Sequence, residues 1–213
     1  LVLASITGAQ GVVTHIGSRH QQSFAAAAGL VGDSVLQAHR LAEQALAGLS
    51  TDDRAAVPVR ASSAPAAQAL PPLLLETGSG SGTTVGGRLE ELAALLPTLP
   101  QPCGICLDSA HLFAAGYPIH TEPGLGETVA LLEGLGLLQH VGLFHLNDWQ
   151  AAFASTRDRH ANLGEGEIGG EGLGRVVRHP AFRHVPFVLE VPGTAGKGPD
   201  SADVAYAKSL RDP

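Results

Sequence analysis

Five short apolar runs in this sequence each end in, or within a residue or two of, a histidine or a carboxylate. Residues 11–16 (GVVTHI) carry His15, Leu73–Glu76 (LLLE) carries Glu76 and residues 104–108 (GICLD) carry Asp108; residues 141–146 (VGLFHL) carry His145 and residues 186–190 (PFVLE) carry Glu190. Imidazole and carboxylate are the donors of a metal site or of an acid–base site. One such residue closing an apolar run means little, because a lone strand-end histidine is more often a hydrogen-bonded structural group. Five out of five is a pattern, since parallel α/β barrels assemble active sites from the C-terminal ends of several strands. Three more residues extend the set. His111 lies three positions after Asp108 in LDSAHLFAAG, on the loop leaving that strand. Asp158 and His160 form Asp-x-His in STRDRHANLGEGEIG, where alternate residues of an extended segment can face one ion.

A mixture of imidazole and carboxylate without thiolate suits zinc, with manganese as second choice. Eight such groups exceed the needs of one four-coordinate ion and point to a multinuclear site. Such sites hydrolyse phosphoesters, one ion activating water while others stabilise the attacking and leaving oxygens. Cys103 and Cys106 share a C-x-x-C spacing, but in the apolar run PCGICLD residues three apart face opposite sides of a strand. They read as buried thiols of a reducing, cytoplasmic compartment. His20, His39, His120, His140, His179 and His184 fall on expected helices, turns or strand starts and read as structural. The stretch GSGSGTTVGG after Glu76 lacks the Gly-Lys-Ser/Thr ending of a P-loop.

Continuously apolar runs are the mark of parallel strands covered on both faces. Between them lie helical patterns at residues 23–49, 86–96, 127–138 and 172–177, with a weaker one at 203–210. Alternation of strand and helix predicts an α/β parallel sheet or barrel. Residues 50–72, rich in Pro, Ala and Ser, read as a long exposed loop within a single domain spanning 1–213. The 44% hydrophobic content supplies a core, and no apolar run is long enough for a transmembrane helix. The opening LVLASITGAQ lacks the basic start and cleavage site of a signal peptide. A net charge of −7 counts mildly against a nucleic-acid partner, although bound divalent ions can reverse the field in a cleft. Methionine is absent even at position 1, so the chain is expected to begin inside a longer protein.

These segments resemble endonuclease IV. VVTHIGS is similar to that family's zinc-histidine strand and loop, and LLLETGSGSGTTVG resembles its bridging-glutamate segment. CLDSAHLFAAGYPI resembles an Asp-Thr-x-His-x-Phe-Ala-Ala-Gly-Tyr motif; FHLNDW and RDRHANLGEGEIG resemble the His-Leu-Asn-Asp and Asp-Arg-His segments. FVLEVPG is similar to the final Glu-Thr-Pro strand, and the likeness runs from about residue 3 to 195 outside the 50–72 loop. The resemblance implies a TIM (β/α)8 barrel of the xylose isomerase-like/endonuclease IV type, of which about the last five βα units are present. It also implies a trinuclear Zn2+ site. Glu76 would bridge two ions, with His15 on the first and Asp108, His145 and Glu190 on the second; His111, Asp158 and His160 would hold the third. Glu76, Asp108, His145 and Glu190 would be catalytic. The implied reaction is cleavage of double-stranded DNA on the 5′ side of abasic sites, with trimming of blocked 3′ ends, by a protein that is monomeric when complete. The family's first three strands, which carry a further zinc histidine, have no counterpart here, so the first zinc would be one ligand short. A rival reading is a sugar isomerase or epimerase of the related barrels, which use Glu76, Asp108, His145 and Glu190 alone. A catalytically dead fragment is the reading outside enzymology.

Overall fold

Five parallel strands form one sheet in the computed structural model, which describes residues 1–50, 52, 70–157 and 159–212. They are β1 (Val12–His15), β2 (Leu73–Glu76), β3 (Cys103–Asp108), β4 (Val141–His145) and, as the fifth, the short Phe187–Val188, lying in that order. Most of the loop expected at 50–72 lies outside the described residues. The connecting helices are α1 (Val2–Thr7), α2 (Phe24–Gly48), α3 (Leu89–Leu95), α4 (Ser109–Ala115), α5 (Glu122–Gly134), α6 (Gly169–Arg178) and α7 (Ser201–Arg211). A separate antiparallel ribbon pairs β5 (Asp148–Trp149) with β6 (His160–Ala161), which makes Phe187–Val188 strand β7.

Every residue of β2 and β3 is buried, whereas β1 and β7, each paired on one side only among the described residues, keep partly exposed side chains, as does the start of β4, which lies beyond the two residues that β7 covers. The core lies between the sheet and its helices. Leu75, Ile105, Leu107 and Phe144 pack against Leu89, Leu92 and Leu95 of α3, Leu112 and Phe113 of α4, and Leu173 and Val176 of α6.

Several elements differ from the periodicity. His111 is on a helix, not on a loop: α4 starts directly after β3, because the Asp108 side chain accepts a hydrogen bond from the His111 N–H and caps the first turn. Helix α5 begins five residues earlier than expected, at a Thr121 cap followed by Pro123. Helix α7 opens with a reciprocal capping box between Asp200 and Asp203. The helix α1, unmarked by any periodic pattern, closes on Gly8 at φ 69°.

Candidate metal centre

Register sets the framework of the site. His15 stands opposite Glu76 across β1 and β2, and Asp108 stands opposite His145 across β3 and β4. Glu190 follows β7 by two residues, and its N–H donates to the side-chain oxygen of Asn147 at 2.8 Å. The loops after β1 and β2 are tied together beside the site, by Ser18 and Thr83 hydroxyls 2.6 Å apart and by Arg19 N–H to Thr83 O at 2.9 Å.

Two overlapping groups of potential ligands result. Glu76, Asp108, His145 and Glu190 each bring a ligand atom within 4.8 Å of the others, and so do Asp108, His111 and His160. Asp108 belongs to both. His15 joins at the edge, its Nδ1 3.6 Å from a Glu76 oxygen, with its side chain 65% exposed. The rings of His15 and His111 lie 5.7 Å apart, and those of His111 and His160 5.5 Å. Asp158 lies outside the described residues. His20, His39, His120, His140, His179 and His184 belong to neither group. His179 caps a turn by accepting from Ala181 N–H, and His120 packs edge-on against Phe113.

The electrostatics favour a cation. Nδ1 of His145 lies 3.0 Å from Glu76, 3.1 Å from Glu190 and 3.8 Å from Asp108. Three carboxylates thus converge on one imidazole, which neutralises at most one charge of three. Burial would raise the Glu76 carboxyl, but hydrogen bonds from His111 and His145 and the charges of His145 and His15 outweigh it and hold the pKa at about 2. Burial would lower His145, but its hydrogen bond to Glu76 and the charges of Glu76, Glu190 and Asp108 raise it instead. The excess of buried carboxylate is what a divalent ion relieves, so the residues present fit a metal.

Around the ligands runs a layer of polar groups that sequence reading missed. Nδ1 of His111 lies 2.8 Å from the carbonyl of Thr77. A carbonyl only accepts, so that nitrogen carries the proton and Nε2 keeps its lone pair for a ligand. Thr77 also accepts the Asp108 N–H at 2.9 Å. The Asn147 amide donates to Asp108 at 2.7 Å while receiving Glu190 N–H, linking two potential ligands through one side chain. The signal was two adjacent polar residues, Asn147 and Asp148, just past the strand-end His145 in FHLNDW. Cys106 sits fully buried behind Glu76 and Asp108, where burial and those charges push its thiol pKa up, so it stays protonated and takes no part as thiolate.

A family model described as xylose isomerase-like TIM barrel matches residues 4–211. A probable endonuclease 4 of Natronomonas pharaonis is 43% identical over 125 residues, covering 59% of this chain and 45% of its own. A probable endonuclease 4 of Chloroflexus aggregans is 41% identical over 140 residues, covering 65% and 49%. The chain spans about half the length of the curated relatives it matches. Among solved structures, endonuclease IV from Thermus thermophilus matches at TM-score 0.68 and 32% identity, over 99% of this chain and 66% of that one. A D-tagatose 3-epimerase-like protein matches at TM-score 0.57 and 15% identity, over 98% and 63%, a likeness of fold alone.

Proposed function

The chain belongs to the xylose isomerase-like TIM barrel family, and from that premise we propose that the complete protein is a zinc-dependent phosphodiesterase of the endonuclease IV type. Its substrate would be double-stranded DNA, cut on the 5′ side of abasic sites and trimmed at blocked 3′ ends, in the cytoplasm. The observation that carries the reading is the pair of ligand groups sharing Asp108. A sugar isomerase built on Glu76, Asp108, His145 and Glu190 has no use for His111 and His160.

His15, Glu76, Asp108, His145 and Glu190 would hold ions at the strand ends, with Glu76 the shared carboxylate, and His111 and His160, with Asp158, would hold a further one. The donor set, imidazole and carboxylate with both thiols buried elsewhere, suits zinc over softer or harder ions, with manganese next. When bound, the ions supply positive charge to the phosphate and lower the pKa of the attacking water. Glu76 and Asp108, 4% and 0% exposed, are closed to solvent and serve as fixed charges. Glu190, with a side chain 46% exposed, is the carboxylate of its group that can take a proton from incoming water. Asn147 orients it through the backbone.

The test is cleavage of a duplex oligonucleotide bearing one abasic site by the complete protein, before and after chelation and after zinc is restored, with bound metal counted. Zinc-restored incision on the 5′ side with two or three ions per chain is the expected result. One ion per chain and turnover of a ketose, without incision, would establish the isomerase reading instead. No incision at full zinc occupancy would leave a binding protein without catalysis.

A further inference from the structure

The carboxylate of Asp148 belongs to neither group of potential ligands, yet it is completely buried and five backbone N–H groups converge on it. Oδ1 accepts from Trp149 at 2.8 Å, Ile168 at 3.0 Å and Gly169 at 3.3 Å. Oδ2 accepts from Gly164 at 2.9 Å and Gly166 at 3.1 Å. The carboxylate satisfies backbone donors that the start of α6 leaves without a partner inside the helix.

What the clamp holds is the piece of chain that delivers His160. The β5–β6 ribbon is two residues long on each side, with Trp149 opposite His160 and Asp148 opposite Ala161. A hairpin this short is not stable on its own. Its return path passes over the Asp148 carboxylate between β6 and α6, and Glu167 N–H closes onto Trp149 O at 2.8 Å. The path fits because Gly166 has no side chain: a Cβ there would lie 2.4 Å from Trp149 O and 2.5 Å from Asp148 Oδ1. One carboxylate therefore fixes its own strand, the loop after β6 and the first turn of α6.

We infer that Asp148 is a positioning residue for the Asp108–His111–His160 group, holding His160 in place without touching the metal; this rests on the multinuclear reading above. Groups that orient metal ligands from behind are typically worth about 10–100-fold in metal affinity.

The experiment uses the complete protein in zinc buffers of defined free concentration, counting bound zinc and recording the thermal transition. Asp148→Asn keeps the shape of the side chain but turns its NH2 toward N–H donors. It should weaken one equivalent of zinc about 10–100-fold and leave the others at wild-type affinity, with a cooperative transition retained. Gly166→Ala, which intrudes on the same clamp, should weaken the same equivalent. His160→Ala should reproduce the pattern, and combining it with Asp148→Asn should add no further loss. Equal weakening of every equivalent, unchanged binding, or loss of the cooperative transition in Asp148→Asn would each overturn the assignment. Wild-type protein binding a single ion would overturn the multinuclear reading itself, and this assignment with it. Wild-type protein binding several ions while Asp148→Asn keeps them all would overturn the assignment alone.

Discussion

Glu76 is the residue on which the imidazoles of the site converge, with His145, His111 and His15 at 3.0, 3.4 and 3.6 Å. Two consequences follow for a single-atom change there. On the proposed function, Glu76→Gln in the complete, metal-loaded protein should lower abasic-site cleavage by roughly a hundredfold or more, because it would remove a ligand where even outer partners count for 10–100-fold; steady-state kinetics at measured zinc occupancy checks it. In chelated protein the change tests the carboxylate as a charge. Its folded pKa of about 2 lies below the ordinary 4.5, so its contribution is present above pH 4.5 and lost as pH falls through about 2. Wild type should therefore lose on the order of 3 kcal/mol across that window, a component absent from Glu76→Gln in urea unfolding at pH 7, 4 and 2.5. His145 works in the opposite sense. Its pKa is raised, so its contribution is present below the ordinary 6.5 and lost as pH rises through the raised value. At this scale the polar strand ends were visible in the sequence, since His15, Glu76, Asp108, His145 and Glu190 interrupt apolar runs. Thr77, Asn147 and Asp148 stand in the same segments, but their role was not legible, because a polar residue just past a strand looks the same whether it makes a turn or orients a ligand.

Among the elements, those with an apolar pattern of their own were legible and those shaped by tertiary contacts were not. The 25-residue α2 announces itself by length, the seven-residue α3 by the spacing of its leucines, and the parallel strands by continuous hydrophobicity. In α4, buried all round and directly continuing β3, and in the two-residue arms of the β5–β6 ribbon no such pattern stands out, and their form is set by the Asp108 cap and the Asp148 clamp. Glycines show the same division. Gly29 is exposed in the second turn of α2, and a Cβ there would meet nothing within 4 Å. Gly29→Ala should raise stability by about 0.5–1 kcal/mol through backbone entropy alone. Gly87, in the loop between β2 and α3, lies against backbone, and its Cβ would come 2.6 Å from the Gly80 Cα. Gly87→Ala should cost about 1–3 kcal/mol, since neither backbone segment can yield cheaply. Calorimetry of the two variants side by side should show shifts of opposite sign.

For the molecule as a whole, the described sheet is open: β1 and β7 each have a neighbour on one side. Beside β1 runs a groove of about 640 Å³ lined by Val12, Val13, Ile16, Leu30 and Val31, and Val188 on β7 is 44% exposed. Open apolar edges template pairing with other chains. The 213-residue chain on its own is therefore expected to self-associate, eluting from size exclusion well above its 21.8 kDa mass. Val188→Lys, placing a charge on an edge already exposed, should shift it toward the monomer. A monomer without that change would show the edges to be adequately covered.

The parallel order of the sheet also imposes a schedule. The potential ligands are strung from His15 to Glu190 in the order in which the strands are laid down, and a ribosome adds roughly 5–20 residues per second. About ten seconds or more thus separate the first ligand from the last. Throughout that interval Glu76 and Asp108 already exist while the strand leading to Glu190 does not, so the Glu76–Asp108–His145–Glu190 group cannot close until residue 190 has been added, some thirty residues after Asp108, His111 and His160 are all in place.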